Sequence, residues 1–255
     1  EFYREQYVPS NMVTAIVGDV KAEKLVPLLE SYFGRIPPGP KPEALRTIEP
    51  PSIAEKTVVL KDPSQPFYLE GYHKPAVTHP DQPVFDAIDD ILTNGRTSRF
   101  YRSLVRDKKI AVSTGSYGAY PGEKYPHLWV AYGVPARGVN NETVQAAIRL
   151  ELQRLQTEDV SDEELAKFRT RAKAGLLRAL GSNLGLAMHL TDYHMLFGDW
   201  RELFQYIKRL DAVTKSDIRR VASQTFLESN RVVAMIETES AVTDSSPMTS
   251  TGGRH

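Results

Sequence analysis

Residues 7–16 read Tyr7-Val8-Pro9-Ser10-Asn11-Met12-Val13-Thr14-Ala15-Ile16, and residues 226–235 read Phe226-Leu227-Glu228-Ser229-Asn230-Arg231-Val232-Val233-Ala234-Met235. In both stretches an aromatic residue is followed by three residues, an asparagine and a β-rich run. The shift from position 7 to position 226 is 219 residues, which predicts a duplicated domain whose two copies end in the same loop and strand. Chance similarity over ten positions is the alternative.

The amino-acid composition limits the class of protein to which this chain can belong. The 255 residues suffice for one to two domains at about 150 residues each, with a hydrophobic fraction of 41% and a charged fraction of 25%, as in soluble globular proteins. The 32 basic and 32 acidic residues balance, so no net field favours nucleic acid or an acidic membrane. The absence of cysteine excludes disulfides, thiolate zinc ligands and a cysteine nucleophile. No apolar run approaches the ~18 residues of a membrane span.

The first part of the chain is predicted to be the C-terminal end of a first domain, over residues 1–36. A strand after Asn11 is followed by a helix over 22–33, in which apolar residues recur at helical spacing. Proline then recurs between Ile36 and Pro42 and again at Pro50-Pro51, which excludes helix and central strand. Residues 37–55 are therefore predicted to be a Pro-rich linker.

The second copy is predicted to be complete, as one α+β domain over residues 56–239. Strands are expected near 57–60, 67–73, 110–118, 127–134 and 231–237, and helices near 80–93, 97–106, 141–157, after the capping box at Ser161 and after Thr214. This order indicates a largely antiparallel sheet with helices on one face. The Ser-, Thr- and Gly-rich residues 240–255 are predicted to be a disordered tail.

The histidines do not form a zinc motif. His189 and His194 are five residues apart, so their directions on a helix differ by ~140°, and no glutamate stands between them. The other four lie in a strand exit, a strand and the tail, where ordinary structural roles outweigh metal binding: His73, His79, His127 and His255.

Other catalytic patterns are missing as well. No nucleophile elbow or phosphate-binding loop occurs. Asp89-Asp90 is interpreted as a helix surface and Glu163-Glu164 as a cap, because adjacent helical residues diverge by ~100° and cannot converge on one point. The tyrosines near the predicted hairpin indicate core or cross-strand pairs, with a peptide-binding surface as the alternative: Tyr117, Tyr120, Tyr125 and Tyr132. No catalytic, cofactor-binding or metal-binding residue is assigned.

A series of short motifs runs in order from Phe2 to about Glu239. They are Phe2-Tyr3, Tyr7-Val8-Pro9-Ser10-Asn11, Val17-Gly18-Asp19, Tyr32-Phe33-Gly34-Arg35-Ile36-Pro37, Asn94-Gly95-Arg96-Thr97-Ser98-Arg99-Phe100-Tyr101, Gly198-Asp199-Trp200, Val213-Thr214 and Asp217-Ile218. In this order and spacing they resemble the insulinase, pitrilysin and mitochondrial processing peptidase family, in its bacterial two-domain type.

The resemblance implies a zinc metalloendopeptidase. Family members have two homologous domains, and the first carries the inverted zinc motif His-x-x-Glu-His with a downstream glutamate as third ligand. Neither is present in these residues, so zinc is expected in the parent protein and not in this chain. The resemblance implies that this segment forms the half of the peptide chamber without zinc.

Two positions depart from the family pattern. In many bacterial members one subunit has zinc, while the other supplies an Arg and a Tyr that hold the substrate carbonyl. Those residues would fall on positions 105 and 112, which here are Val105 and Val112, and valine cannot donate a hydrogen bond. The departure favours the zinc-bearing type of subunit, whose Arg and Tyr come from a homologous partner, but a subunit inactive in both respects fits equally.

Three functions therefore stay open. The chain is expected to be part of a zinc metalloendopeptidase acting on peptides, with the missing first domain or an Arg/Tyr-bearing subunit as its partner. The alternatives are an inactive scaffold of the same fold and a peptide-binding module, so enzyme activity of this chain alone is undecided. We expect neither nucleic-acid binding nor a membrane span, and a soluble protein of the bacterial cytoplasm or periplasm.

Overall fold

A five-stranded mixed sheet forms the centre of the fold in a computed structural model, which describes residues 1–239. The strand order is β1-β5-β2-β4-β3; β1 runs parallel to β5, and the other three pairings are antiparallel. The prediction of a largely antiparallel α+β fold is confirmed. The strands are β1 (Lys56–Asp62), β2 (Phe67–Lys74), β3 (Ala111–Tyr120), β4 (His127–Pro135) and β5 (Arg231–Thr238).

Eight α-helices accompany the sheet within residues 1–239. Capping boxes at Ser161 and Thr214 start two of them as predicted, because each side chain accepts a hydrogen bond from an otherwise unpaired backbone N–H. The helix predicted over 97–106 is shifted, and a π-helical segment spans Tyr101–Asp107. The α-helices are α1 (Phe2–Gln6), α2 (Ala22–Phe33), α3 (Gln82–Thr93), α4 (Asn141–Thr157), α5 (Asp162–Leu180), α6 (Asn183–Phe197), α7 (Glu202–Ala212) and α8 (Lys215–Thr225).

The core lies between one face of the sheet and the helices. Alternate residues of a strand point to opposite faces, and along β2 the buried side chains Tyr68 and Tyr72 face the helices beside Trp129 of β4. Burying an aromatic side chain of this kind stabilises the fold by ~1.5–3 kcal/mol. The other set, which includes Phe67 and Leu69, is only partly buried and belongs to the face opposite the helices, called here the open face.

The repeat is also present in the structure. α1 ends at Gln6 and a 3-10 turn spans Pro9–Asn11; α8 ends at Thr225 and a 3-10 turn spans Glu228–Asn230, again 219 residues later. The Asn11 amide donates to the Gln6 carbonyl at 3.0 Å, and the Asn230 amide donates to the Thr225 carbonyl at 2.8 Å. The predicted strand after Asn11 is wrong, however, since residues 12–17 have no partner strand within residues 1–239.

Residues 37–55 contain neither helix nor strand. The start of this segment lies against the 3-10 turn at Pro9–Asn11, because Ser10 Oγ donates to the Gly39 carbonyl at 2.9 Å. The predicted disordered tail over 240–255 and His255 lie outside the described residues. Over residues 1–239, none of the helices combines the length and apolar character needed to cross a membrane.

Candidate functional site

Three carboxylates share one face of α3. Its apolar residues, among them Ile88 and Leu92, are buried in the core, which fixes the rotation of the helix. Asp86, Asp89 and Asp90 have the spacing i, i+3 and i+4, which places them on one side of a helix. They line a cleft of about 520 Å³. The three residues of an inverted zinc motif have the same spacing.

Asp86 is tied to α7. Its carboxylate accepts a 2.8 Å hydrogen bond from Gln82 Nε2 and a second from the Tyr206 hydroxyl. Burial raises the pKa of Asp86 above its usual range, although the Tyr206 hydrogen bond and the nearby Lys74 charge oppose that rise. Asp86 was not singled out by sequence reasoning, because its burial depends on α7, which lies 120 residues away.

Asp89 and Asp90 are not solvated surface residues, so that interpretation is wrong. Asp89 Oδ1 accepts hydrogen bonds from Trp129 Nε1 at 2.8 Å and from Ser116 Oγ at 2.5 Å, because α3 packs against β3 and the Trp129 side chain of β4 reaches it. Asp90 Oδ2 accepts from Arg171 Nη1 of α5 at 3.0 Å, and its side chain is 11% exposed. The acidic face therefore joins α3 to the sheet and to α5.

The hydrogen bonds of Asp86, Asp89 and Asp90 affect whether these carboxylates can bind a metal ion. A metal ligand must offer a lone pair in an open geometry, whereas each of these three carboxylates accepts hydrogen bonds from side chains of the protein. Across residues 1–239, no group of three or more His, Asp or Glu side chains is arranged to hold a metal ion.

The five histidines within residues 1–239 are spread over several elements. His189 and His194 both lie on α6, and His73 lies on β2. His79 Nδ1 lies 3.8 Å from Asp81 Oδ2, in the turn before α3. His127 begins β4, where its Nδ1 lies 2.9 Å from the Tyr125 carbonyl, and burial lowers its pKa.

The predicted cap at Glu163-Glu164 is confirmed, and Glu164 also makes contacts that were not predicted. Glu164 completes the cap with Ser161 and also accepts two hydrogen bonds from Arg99, at 2.8 and 2.9 Å. Burial by itself would raise the pKa of Glu164, but the hydrogen bonds from Arg99 and Ser161 lower it to about 2. The Ser-Arg motif of the sequence therefore joins the start of α5 to the segment after α3.

The two valines occupy different environments. Val105 lies in the π-helical segment and packs, partly buried, against the core. Val112 is on the edge strand β3 and is 58% exposed. Neither side chain offers a hydrogen bond donor to a substrate carbonyl.

A row of aromatic rings crosses the open face. The ring centroids of Phe67 and Tyr132 lie 5.8 Å apart, those of Tyr132 and Tyr117 lie 5.4 Å apart, and both pairs are stacked. Tyr120 extends the row at 6.5 Å from Tyr117. Gly115 makes room for it, because a Cβ there would lie 2.7 Å from the Tyr132 hydroxyl. The cross-strand pairing is as predicted, but Tyr117 and Tyr120 remain 50% and 56% exposed.

A buried charge network lies on the opposite face. Glu70 is fully buried, and its Oε2 accepts hydrogen bonds from the Tyr68 hydroxyl at 2.7 Å and from Arg149 Nε at 3.1 Å. Arg149 Nη2 also donates to Glu55 at 3.1 Å, and Glu55 accepts from Arg231 at 2.5 Å. The network connects the end of the 37–55 segment with α4 and β5. Sequence reasoning missed it, since its charged partners are 79 to 176 residues apart in the chain.

This chain is similar to a known protein family and to a known zinc protease. A family model described as Peptidase M16 inactive domain matches residues 1–171. The zinc protease PqqE of Helicobacter pylori is 26% identical over 252 residues, which cover 93% of this chain and 54% of that protein. The chain therefore spans about half the length of this curated relative.

Solved structures share the fold. The crystal structure of a protease from Helicobacter pylori superposes with a TM-score of 0.76 at 23% identity, over 87% of this chain and 54% of that one. The inactive peptidase domain of a zinc protease from Bordetella parapertussis superposes with a TM-score of 0.60 at 22% identity, over 70% of this chain and 96% of that one. The match over residues 1–171 confirms the resemblance found in the motifs, and the chain belongs to the Peptidase M16 inactive domain family.

Proposed function

We propose that this chain forms the metal-free half of the peptide chamber of a zinc-dependent metalloendopeptidase. The aromatic row on the open face carries the proposal. It offers stacking surfaces from Phe67 to Tyr120 beside the edge strand β3, where an extended peptide has both apolar contacts and free backbone groups. The proposal is also supported by a relative that is named as a zinc protease and is about twice as long as this chain.

The proposed division of the chain has three parts. Residues 1–36 are the end of the first, zinc-type domain, 37–55 are the linker, and 56–239 are the second domain. The repeated turn around Asn11 and Asn230 supports this division, as does the lack of helix and strand over 37–55.

Zinc belongs to the parent protein in this proposal. When bound there, zinc supplies an activated water for attack on a peptide carbonyl. The residues of this chain bind and orient the peptide, and Val105 and Val112 leave the oxyanion donors to a partner. A heterologous subunit with Arg and Tyr at the matching positions would provide them, and a placed donor of this kind contributes ~3 kcal/mol.

Two alternatives make different predictions. A scaffold of the same fold would leave the parent protein without peptidase activity in any combination of subunits. A peptide-binding module would show peptide affinity in this chain without any metal, with no peptide cleavage by the parent protein. The acidic face of α3, whose carboxylates bind other side chains, is compatible with both.

The test compares the full-length parent protein alone, with a homologous Arg/Tyr-bearing subunit, and with that subunit after its Arg or Tyr is replaced by Ala. We expect chelator-sensitive peptide cleavage only with the intact partner, and a rise in KM when Tyr117 and Tyr120 are both replaced by Ala in this chain. Leu177→Ala is a matched control, because Leu177 is also an exposed apolar residue, at 66%, but lies on α5. Full activity of the zinc-loaded parent protein alone would defeat the pairing, and no activity in any arm would favour the scaffold.

A further inference from the structure

The outer edge of β1 carries free backbone groups. Within residues 1–239, β1 is an edge strand of the sheet, and its neighbour is β5. The Asp62 carbonyl accepts a hydrogen bond from the Glu239 N–H at 2.9 Å, so the even-numbered residues of β1 direct their backbone groups at β5. Thr57, Val59 and Lys61 therefore direct their N–H and C=O groups away from the sheet, where residues 1–239 supply no partner. Such a row of unpaired groups is a template for another strand.

The side chains along this strand are apolar in the middle and charged at the ends. All seven residues of β1 are exposed, and Val58, Val59 and Leu60 are 53%, 44% and 59% exposed. Lys56 begins the strand and Asp62 ends it. Exposed edge strands are usually kept short or interrupted by a bulge, whereas β1 pairs with β5 in continuous register along its whole length.

The sequence of β1 is complementary to itself in one antiparallel register. When two copies meet with Val59 opposite Val59, Lys56 lies opposite Asp62 of the second copy, and Val58 lies opposite Leu60. A two-fold axis at Val59 repeats both pairs, so each end of the contact carries an opposite-charge pair and the centre is apolar. The outward backbone groups at positions 57, 59 and 61 then face those at 61, 59 and 57, and each facing pair exchanges both of its N–H···O bonds.

Neighbouring registers lack this match. Only a shift by two residues keeps the outward backbone groups opposite each other, because these groups recur at every second residue. With the axis at position 58, Lys56 lies opposite Leu60. With the axis at position 60, Asp62 lies opposite Val58. Neither of these registers pairs the charges at the two ends of the strand.

The residues that precede β1 contact this domain at other places. A Cβ on Gly18 would lie 3.7 Å from Asn183 Nδ2, at the start of α6. The end of the 37–55 segment is held through Glu55 by Arg149 and Arg231, next to the first residue of β1. In the described part of the chain, neither contact runs along the outer edge of β1, which is therefore accessible to a second copy.

We propose that two copies of this protein dimerise through β1, as antiparallel neighbours about a two-fold axis at Val59, so that their sheets become one. The Lys56–Asp62 pairs at both ends select the register, and the Val58–Leu60 contacts bury apolar surface between them. The inference goes beyond the proposed function and requires no peptidase activity. It uses the edge of the sheet opposite β3, beside which the peptide is proposed to bind.

Sedimentation velocity of the 255-residue chain and of the full-length parent protein, over micromolar concentrations, tests this proposal. We expect a dimer that dissociates on dilution. Lys56→Asp and Asp62→Lys should each raise its dissociation constant at least ~10-fold, because both attractive pairs become repulsive. An equimolar mixture of the two variants should dimerise again, since each facing pair then joins opposite charges. Lys61→Asp is the matched control, because it makes the same charge change on the same strand but lies opposite Thr57, and it should leave the dimer intact.

Val59→Pro provides a second test. It removes the N–H at the two-fold axis and no bond to β5, because the backbone groups of Val59 point away from β5. We expect this variant to be monomeric with the circular dichroism of the wild type. A wild type that stays monomeric at all concentrations would overturn the proposal. So would a dimer that Lys56→Asp leaves intact, an equal loss with Lys61→Asp, or a mixture of the two charge variants that stays monomeric.

Discussion

The indole Nε1 of Trp129 on β4 donates a 2.8 Å hydrogen bond to the carboxylate of Asp89 on α3. Trp129 is fully buried, so its N–H has no access to water, and Asp89 satisfies it from the helix layer. The Asp89 carboxylate therefore has a structural role, although Asp86, Asp89 and Asp90 have the spacing of a metal-binding motif.

Asp89→Ala should lower the free energy of unfolding by ~1–3 kcal/mol, because it leaves the buried Trp129 N–H without an acceptor. Urea unfolding monitored by tryptophan fluorescence measures the change. Asp192→Ala is the matched control, since Asp192 is an exposed acidic residue on α6, and we expect a change within about 0.5 kcal/mol. Equal effects of the two substitutions would contradict a structural role for Asp89.

Arg149→Met should destabilise the fold by ~3–5 kcal/mol at pH 8, because it leaves the buried Glu70 carboxylate without its paired charge. Glu70→Gln should cost far less, and the double variant should recover most of the loss. A double-mutant cycle by urea unfolding measures the coupling. Additive effects of the two substitutions would show that the pair is not coupled.

The same pair has a defined pH dependence. Burial raises the pKa of Glu70 above the ordinary 4.5, against the opposing effects of Tyr68 and Arg149. The protonated Glu70 carboxyl therefore makes its full contribution to the free energy of unfolding below pH 4.5. This contribution is lost as the pH rises through the pKa of Glu70 in the folded protein. The deficit of Arg149→Met should accordingly be larger at pH 8 than at pH 5, and a deficit that grows toward pH 5 would refute this.

Glu164→Gln should lower stability by ~1–3 kcal/mol at pH 7, since it keeps the helix cap but removes the charge paired with Arg99. The folded pKa of about 2 lies below the ordinary 4.5. The contribution of the carboxylate is thus present above pH 4.5 and is lost as the pH falls through 2. Urea titrations at pH 7, 4 and 3 should show a shrinking difference from the wild type, whereas a constant difference would exclude a charge effect.

Residues 1–255 should bind zinc no tighter than micromolar and cleave no peptide. The reason is that the carboxylates on α3 accept hydrogen bonds from the protein, and that within residues 1–239 no three His, Asp or Glu side chains are arranged to hold a metal ion. Isothermal titration with ZnCl2 and a peptide-cleavage assay with and without a chelator are the measurements, with the full-length parent protein as reference. Chelator-sensitive cleavage by the 255-residue chain would contradict this expectation.

Local patterns in the sequence were sufficient for much of the secondary structure. The capping boxes at Ser161 and Thr214, the Asn94-Gly95 stop after α3 and the alternation of β2 each depend on a few neighbouring residues, whose backbone preferences act within one or two turns. The repeat around Asn11 and Asn230 was likewise readable, and its turn geometry is the same in both copies.

The sequence by itself determined the α+β class, the family resemblance and the repeated turn, because these follow from short-range spacing and motif order. Only the tertiary structure decided that Asp89 accepts a hydrogen bond from Trp129, that Glu70 is buried beside Arg149, and that residues 12–17 have no partner strand within residues 1–239. The physical reason is that burial and pairing depend on residues tens to hundreds of positions away. The sequence can predict that a side chain lies on a helix surface or that a segment forms a strand. Its actual role is decided only when another element of the structure packs against it.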